Sequence, residues 1–208
     1  MTSLAILGAS GHGKVLAEIA ELTGWNEISF FDDRYPKIKS IEGWIVKGKT
    51  NDLLSSLDDF DGCIVGIGDN QTRLEKTELL LSHFAKLISL IHPSSIISKY
   101  SKIHAGSAIM AGAIINPFSE IGLACIVNTS ATVDHDSALG DGVHIGPGVN
   151  MAVNVSIGKN SIIGIGASVK QGVNVGENVI VGAGSVLVQN LNSNLVAMGV
   201  PAKVTNSS

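Results

Sequence analysis

Residues 121–151 read IGLACIVNTSATVDHDSALGDGVHIGPGVNM, and every sixth residue of this stretch is aliphatic (Ile, Val, Leu or, once, Met). The same column runs without a slip through sixteen registers, from Ile97 to Leu187. Two residues before each register the chain has only Ser, Ala, Cys or Val. An α-helix repeats at about 3.6 residues and an alternating strand at about 2, so neither explains the column. A solenoid of short strands does, because each turn buries its inward side chains against neighbouring turns.

The solenoid frame separates inward from outward residues. Just after the aliphatic column, ten of the sixteen positions are Gly, Asn or Asp. These residues tolerate positive φ, so we expect this position to form the corners. The aliphatic and small columns point inward, which makes Cys125 a packed thiol rather than a nucleophile. His135, Asp136 and His144 lie outside both inward columns and are candidates for chemistry.

Composition limits the classes of protein that remain. The chain has 208 residues, with 14 basic and 18 acidic side chains and a net charge of −4. Without a basic cluster, nucleic-acid binding is not expected. The two cysteines suit a reducing compartment. The chain has no uninterrupted run of about eighteen apolar residues, so no membrane span is predicted. We therefore expect a cytoplasmic protein.

A change in composition near Ser94 predicts two domains. Residues 1–93 form the first, residues 94–190 the β-helix, and residues 191–208 a C-terminal tail. The first domain alternates predicted strands (4–7, 27–31, 63–67 and 86–91) with predicted helices (15–22, 51–57 and 71–84). Such alternation is typical of a parallel α/β sheet, here a short Rossmann-like one.

Three loops follow the predicted strands of this first domain. The first reads GASGHGK at residues 8–14, where a glycine-rich turn and a helix N-terminus can bind an anion. Its G-x-x-G-x-G spacing differs from the dinucleotide fingerprint, which favours a nucleotide or nucleotide sugar over NAD. Asp32 and Asp33 end the second strand, and residues 66–70 (GIGDN) end the third. Each loop alone could be an ordinary turn, but together they predict a ligand site at one sheet edge.

These motifs, followed by the hexapeptide ladder, resemble the sialic acid/bacillosamine acetyltransferase family over nearly the whole chain. The resemblance implies a left-handed parallel β-helix with three hexads in each triangular coil. It also implies that the first domain binds the UDP part of a UDP-linked 4-amino-4,6-dideoxy sugar. The residues that would hold this nucleotide sugar are Ser10, Gly11, His12, Asp32, Asp33 and Gly68.

Residues 128–136 and 140–145 resemble the catalytic segment of the same family. By that resemblance His135 is the general base, and Asp136, or less favourably Asp134, orients its ring. We expect the sugar amine to attack acetyl-CoA directly, with no covalent enzyme intermediate and no metal. Acetyl-CoA would be held by Asn128, His144, Asn154, Ile165, Ala183 and Lys203. The resemblance further implies a homotrimer with active sites between subunits, to which a neighbour could supply His144.

Three alternatives remain open at this point. Within the family, the chain could O-acetylate sialic acid. A zinc enzyme resembling the gamma-class carbonic anhydrases is disfavoured, because His135 and His144 stand nine residues apart without a close His pair. The chain could also be a nucleotide-sugar-binding module with an inactive transferase site. Val153 supports that last possibility, since the family usually has glycine there.

Overall fold

The computed structural model describes residues 2–207 and divides into two compact units, with the boundary between Pro93 and Ser94. The N-terminal unit contains six strands, three α-helices and one 3-10 helix among its described residues. They are β1 (Ser3–Leu7), α1 (Gly11–Leu22), β2 (Glu27–Phe31), β3 (Ser40–Ile41), β4 (Trp44–Gly48), α2 (Thr50–Leu54), the 3-10 helix Leu57–Asp59, β5 (Gly62–Val65), α3 (Asn70–Ser82) and β6 (Leu90–Ile91).

The predicted parallel α/β sheet is confirmed. Its strand order is β3-β4-β2-β1-β5, with β4, β2, β1 and β5 parallel and β3 antiparallel to β4. Buried apolar side chains such as Leu7, Phe31 and Leu80 pack the core beside the sheet. Burial also raises the pKa of the Cys63 thiol to about 11, so this cysteine is a packed and unreactive group.

Several boundaries differ from the sequence prediction. Helix α1 begins at Gly11 rather than residue 15, so part of the glycine-rich segment is helical. The glycines did not suggest a helix because glycine is a poor helix former. Close packing explains Gly13, because a Cβ there would meet the Phe30 ring at 3.0 Å. The predicted fourth strand is reduced to a bridge between Leu87 and Cys63 and the short strand β6.

The second unit is a parallel β-helix, as predicted. Its coils have 18 residues, so that Ile126 pairs with His144 in the next coil. Each strand has two residues and ends on the aliphatic column. The strands are β7 (Ile96–Ile97), β8 (Lys102–Ile103), β9 (Ala108–Ile109), β10 (Ile114–Ile115), β11 (Glu120–Ile121), β12 (Ile126–Val127), β13 (Thr132–Val133), β14 (Ala138–Leu139), β15 (His144–Ile145), β16 (Asn150–Met151), β17 (Ser156–Ile157), β18 (Ile162–Ile163), β19 (Ser168–Val169), β20 (Asn174–Val175), β21 (Ile180–Val181) and β22 (Val186–Leu187).

These strands form three sheets around one apolar core. The first sheet contains β7, β10, β13, β16, β19 and β22; the second contains β8, β11, β14, β17 and β20; and the third contains β9, β12, β15, β18 and β21. Both inward columns are buried beyond the first coil, where Ile97 and Ile103 are partly buried, and Cys125 is inaccessible to solvent. We call the turns from the first to the second sheet the first corner (98–101, 116–119, 134–137, 152–155 and 170–173). The turns from the third to the first sheet are the third corner (110–113, 128–131, 146–149, 164–167 and 182–185).

The reason given above for the Gly, Asn and Asp column was wrong. Positive φ occurs two residues further on, at all fourteen positions from Gly106 to Gly184 in steps of six. The glycines just after the strands have another role. At Gly140, for example, an added Cβ would lie 2.8 Å from the backbone nitrogen of Lys159 in the next coil. These positions stay small because successive coils pack closely there.

The segment predicted as a tail contains two further strands. Strand β23 (Leu195–Met198) runs parallel to β21 and extends the third sheet, and β24 (Lys203–Ser207) pairs with it in antiparallel orientation. The last coil is therefore covered by a hairpin rather than left open. Across the part of the chain described, no helix is long and apolar enough to cross a membrane.

Candidate functional site

The glycine-rich turn after β1 lies against the loop after β5. Gly8 has φ +114°, and a Cβ there would lie 2.6 Å from the Ile67 side chain. The Ser10 hydroxyl donates a 2.8 Å hydrogen bond to the carbonyl of Gly66. Gly11 and His12 follow in the first turn of α1. The two loops thus meet at the carboxyl edge of the sheet, as the sequence predicted.

The Asp32 carboxylate forms its hydrogen bonds within the chain. It accepts hydrogen bonds from the backbone N–H of Ala9 (2.9 Å) and of Arg34 (2.9 Å), and two from the Arg34 side chain (both 2.8 Å). Burial opposes its ionisation, but these bonds outweigh burial and hold the pKa of Asp32 below its usual range. Asp32 therefore fixes the glycine-rich loop through its hydrogen bond with the Ala9 N–H.

Asp33 faces a cavity at the same edge. Its carboxylate accepts hydrogen bonds from the Thr50 N–H and the Lys76 ammonium, both at 2.9 Å. Although burial works against the charge, these donors lower the pKa of Asp33 to about 2. The cavity measures about 160 Å³ and is lined by Leu7, Gly8, Asp32, Asp33, Thr50, Ile67, Thr72 and Lys76. All three predicted loops contribute to it.

Two arginines of this edge were missed by the sequence analysis. Arg73 is buried, and its guanidinium donates to the carbonyl of Gly68 (2.8 Å) and to the side chain of Asn70 (2.9 Å), which fixes the loop after β5. Arg34 also donates to the carbonyl of Ala9 (2.6 Å). Both hold loop backbone, a role that no sequence motif signals.

The first corner of the β-helix carries the His135–Asp136 pair. Nδ1 of His135 lies 2.7 Å from Oδ2 of Asp136, and both side chains are about half exposed. An ionised carboxylate only accepts, so Nδ1 carries the hydrogen and Nε2 is left to take up a proton. This bond with Asp136, assisted by the charge of Asp134, raises the pKa of His135. Asp134 instead accepts from the backbone N–H of His135 and from the Asn116 amide, both at 2.8 Å.

Of the predicted acyl-donor residues, only Asn154 shares this corner. The Asn128 amide donates to Nε2 of His144 at 3.1 Å, at the third corner and the adjoining third sheet. Ile165 and Ala183 are equivalent to Thr129 two and three coils further on, so they lie at the third corner too. Asn154 belongs to the first corner, where its N–H donates to the carbonyl of His135 (3.1 Å). Lys203 begins β24.

A larger cavity, of about 510 Å³, lies along the second sheet of the β-helix. His104, Glu120, Asp141 and Lys159 line it among small residues, and His104 pairs with Glu120 at 2.8 Å. Neither the His135–Asp136 pair nor any other predicted site residue lines this cavity. The described residues include no cluster of three or more His, Cys, Asp or Glu side chains that could hold a metal ion.

Each unit matches a known protein family. Residues 3–80 match the family described as PglD N-terminal domain, and residues 154–189 match bacterial transferase hexapeptide (six repeats). UDP-N-acetylbacillosamine N-acetyltransferase of Bacillus subtilis (strain 168) is 34% identical over 113 residues. That match spans 53% of this chain and about half (52%) of the curated relative.

Two solved structures are similar over almost the full chain. The acetyltransferase domain of PglB from Neisseria gonorrhoeae FA1090, in complex with acetyl coenzyme A, is 42% identical, with 98% of each chain covered and a TM-score of 0.93. PerB from Caulobacter crescentus, in complex with CoA and GDP-perosamine, is 36% identical, with 99% of this chain and 98% of that chain covered and a TM-score of 0.94.

Proposed function

The chain belongs to the sialic acid/bacillosamine acetyltransferase family, and from this premise we propose that it N-acetylates a nucleotide-linked 4-amino-4,6-dideoxy sugar with acetyl-CoA. The observation that carries the proposal is the His135–Asp136 pair, a half-exposed histidine held in one tautomer by a carboxylate. The three converging loops of the N-terminal unit support a nucleotide as the part of the acceptor that this unit binds.

The proposed reaction needs one proton acceptor and no covalent enzyme intermediate. The amine nitrogen attacks the thioester carbonyl carbon, and Nε2 of His135 takes the proton that the nitrogen loses. The C–S bond then breaks, and the proton can pass to the departing CoA thiolate. Asp136 keeps the proton on Nδ1 and stabilises the imidazolium that forms, as the carboxylate of a catalytic triad does.

Two relatives differ in the nucleotide: one is a UDP-N-acetylbacillosamine N-acetyltransferase, and the PerB structure contains GDP-perosamine. We propose UDP for this chain, which the resemblance of its sequence motifs implies. The test incubates the protein with acetyl-CoA and UDP- or GDP-linked 4-amino-4,6-dideoxy sugars, with sialic acid as the comparison acceptor, and identifies products by mass spectrometry. Acetylated UDP-sugar is expected. Product from sialic acid alone, or nucleotide-sugar binding without turnover, would overturn the proposal in favour of one of the alternatives above.

We further propose that each active site is shared between copies of the chain in a homotrimer. Within one chain, His135 lies at the first corner, whereas Asn128 and His144 lie at the third corner and third sheet. The whole first sheet separates these two corners. If both groups contact the same acetyl-CoA, as the resemblance implies, a second copy must supply one of them.

Mixing two variants tests this arrangement. His135→Ala and His144→Ala are each expected to be nearly inactive, and light scattering should give the mass of a trimer for both. After unfolding and refolding together, about one quarter of the sites in a randomly mixed ring would combine two intact corners. Recovered activity near that level supports shared sites. No recovery in trimers that demonstrably contain both variants would mean that each chain holds a complete site.

A further inference from the structure

Two exposed aromatic side chains stack at the first corner, on the two coils that precede the His135–Asp136 coil. The ring centroids of Tyr100 and Phe118 lie 5.5 Å apart, with 27° between the ring planes. Tyr100 is 57% exposed and Phe118 66% exposed. The pair therefore contributes little to the core of the β-helix, and its apolar faces are available to another molecule.

The register of the coils puts this pair beside the candidate base. Phe118 and Asp136 occupy equivalent positions, 18 residues apart. The N–H of Asp136 donates to the carbonyl of Pro117 at 3.2 Å, and the Asn116 amide donates to the carboxylate of Asp134 at 2.8 Å. Adjacent strands lie about 4.8 Å apart. The turn that bears Phe118 is therefore in direct contact with the turn that bears the His135–Asp136 pair.

The backbone at Phe118 is unfavourable for its side chain. Phe118 has φ +63°, in the left-handed region that bulky residues rarely adopt. The following coils have Asp136, Asn154 and Gly172 at this position, all of which tolerate it. Burial does not compensate, because the ring is mostly exposed. Strain that packing does not repay is a mark of functional sites.

We propose that the Tyr100–Phe118 pair binds the apolar face of the acceptor hexose and so selects a 6-deoxy sugar. This inference rests on the proposed function, because it places the 4-amino group at His135. The C6 methyl and ring C–H groups pack on the aromatic rings, whereas a 6-hydroxyl would lose water there without gaining a partner. The ammonium of Lys99 lies 5.0 Å from the centre of the Tyr100 ring and adds a positive charge suited to the sugar diphosphate.

Removing the Phe118 ring tests the proposal without adding backbone strain. Phe118→Gly and Phe118→Asn both suit positive φ, so both are expected to fold. We expect the KM for the 6-deoxy acceptor to rise about tenfold and its preference over the 6-hydroxy analogue to fall about tenfold, the effect of losing one apolar contact in a pocket. If the ring binds the sugar equally well in the ground state and in the transition state, its removal should leave kcat within about twofold. The KM for acetyl-CoA should not change.

Phe84→Gly is a matched control. Phe84 also has positive φ (+60°) and is 94% exposed, but it lies just after α3 in the N-terminal unit. It should change none of these constants. Unchanged acceptor KM and selectivity in both Phe118 variants would overturn the inference while wild-type turnover leaves the proposed function standing. Absence of turnover with every nucleotide amino sugar would reject the proposed function, and this inference with it. A smaller oligomer in the Phe118 variants would show that the pair packs copies together and would also overturn it.

Discussion

The two units surround their candidate site residues in opposite ways. In the N-terminal unit Asp32 is only 8% exposed and accepts four hydrogen bonds from the chain, so the glycine-rich loop is fixed by the chain itself. In the β-helix the Asp136 carboxylate is exposed and hydrogen-bonds the His135 ring. The candidate residues of the N-terminal unit are therefore held in place by the chain itself, whereas the candidate base at the first corner is open to whatever covers that corner.

The largest effect is expected from removal of the candidate base. His135→Ala should lower kcat/KM by roughly 10²–10⁴, the usual contribution of general-base catalysis. The exposed side chain makes no core contact, so thermal unfolding of the variant should resemble that of the wild type. Acetyl transfer measured by thiol release gives the rate.

His104→Ala is the matched control for that prediction. His104 and Glu120 also form an exposed histidine–carboxylate pair, at 2.8 Å, but on the second sheet. Its loss should leave the rate unchanged. Equal losses of rate in the two variants would mean that the first corner has no special role and would favour the cavity along the second sheet as the active site.

Asp32→Asn should produce the next largest effect, on stability rather than on rate. An amide would place N–H groups against the donors of Ala9 or Arg34, so we expect the free energy of unfolding to fall by about 2–3 kcal/mol. Both tryptophans, Trp25 and Trp44, lie in the N-terminal unit. Urea unfolding followed by tryptophan fluorescence therefore reports this unit specifically.

Asp33→Asn removes the same charge from the neighbouring position. Its carboxylate is more than half exposed and pairs with Lys76. Exposed pairs contribute about 0–1 kcal/mol, so this variant should be much closer to the wild type. If Asp33→Asn destabilised the unit as much as Asp32→Asn, the distinction between a fixing carboxylate and a cavity-facing one would be lost.

Much of the fold could be predicted because buried positions repeat. The aliphatic column has one physical cause, the narrow core of the coil, and the structure buries nearly all of it. The same frame identified His135 and Asp136 as outward residues. The hairpin of Ser40–Ile41 with Trp44–Gly48 and the hairpin of β23 with β24 were missed, since short edge strands show no clear alternation.

The rest depended on contacts between distant parts of the chain. Arg34 and Arg73 act on backbone carbonyls, which carry no residue-type signal. The Tyr100–Phe118 pair did have a signal, namely the 18-residue interval that ends at Asp136. In a repeat of 18 residues rather than six, Tyr100, Phe118 and Asp136 fall at the same position of successive coils.

A smaller effect is expected when Asp136 is changed. Asp136→Asn replaces the charged acceptor that raises the pKa of His135 with a neutral amide oxygen, so that pKa should fall. A base is active when unprotonated, so the acid limb of the kcat/KM profile should move to lower pH. Above that limb the rate should drop about tenfold, because the ring loses its orienting carboxylate; the loss is smaller than in a buried triad, since this pair is about half exposed.

Asp134→Asn provides the comparison. Asp134 binds the backbone N–H of His135 and the Asn116 amide rather than the imidazole. It should move the acid limb in the same direction but by less. A larger movement for Asp134→Asn would assign the orienting role to Asp134.

The smallest effect is expected at Val153, the residue equivalent to His135 in the next coil. Val153 stands 18 residues beyond His135 at the first corner, and its carbonyl accepts from Gly172 at 3.0 Å. Glycine there would let a thioester approach the backbone more closely. Val153→Gly should therefore lower the KM for acetyl-CoA about threefold, at a cost of about 0.5–1 kcal/mol in stability. Val153→Ala should lie between the two. If the KM rose instead, the valine would itself contact the acyl donor. The first corner would then already be shaped to bind that donor, despite the exposure of Asp136.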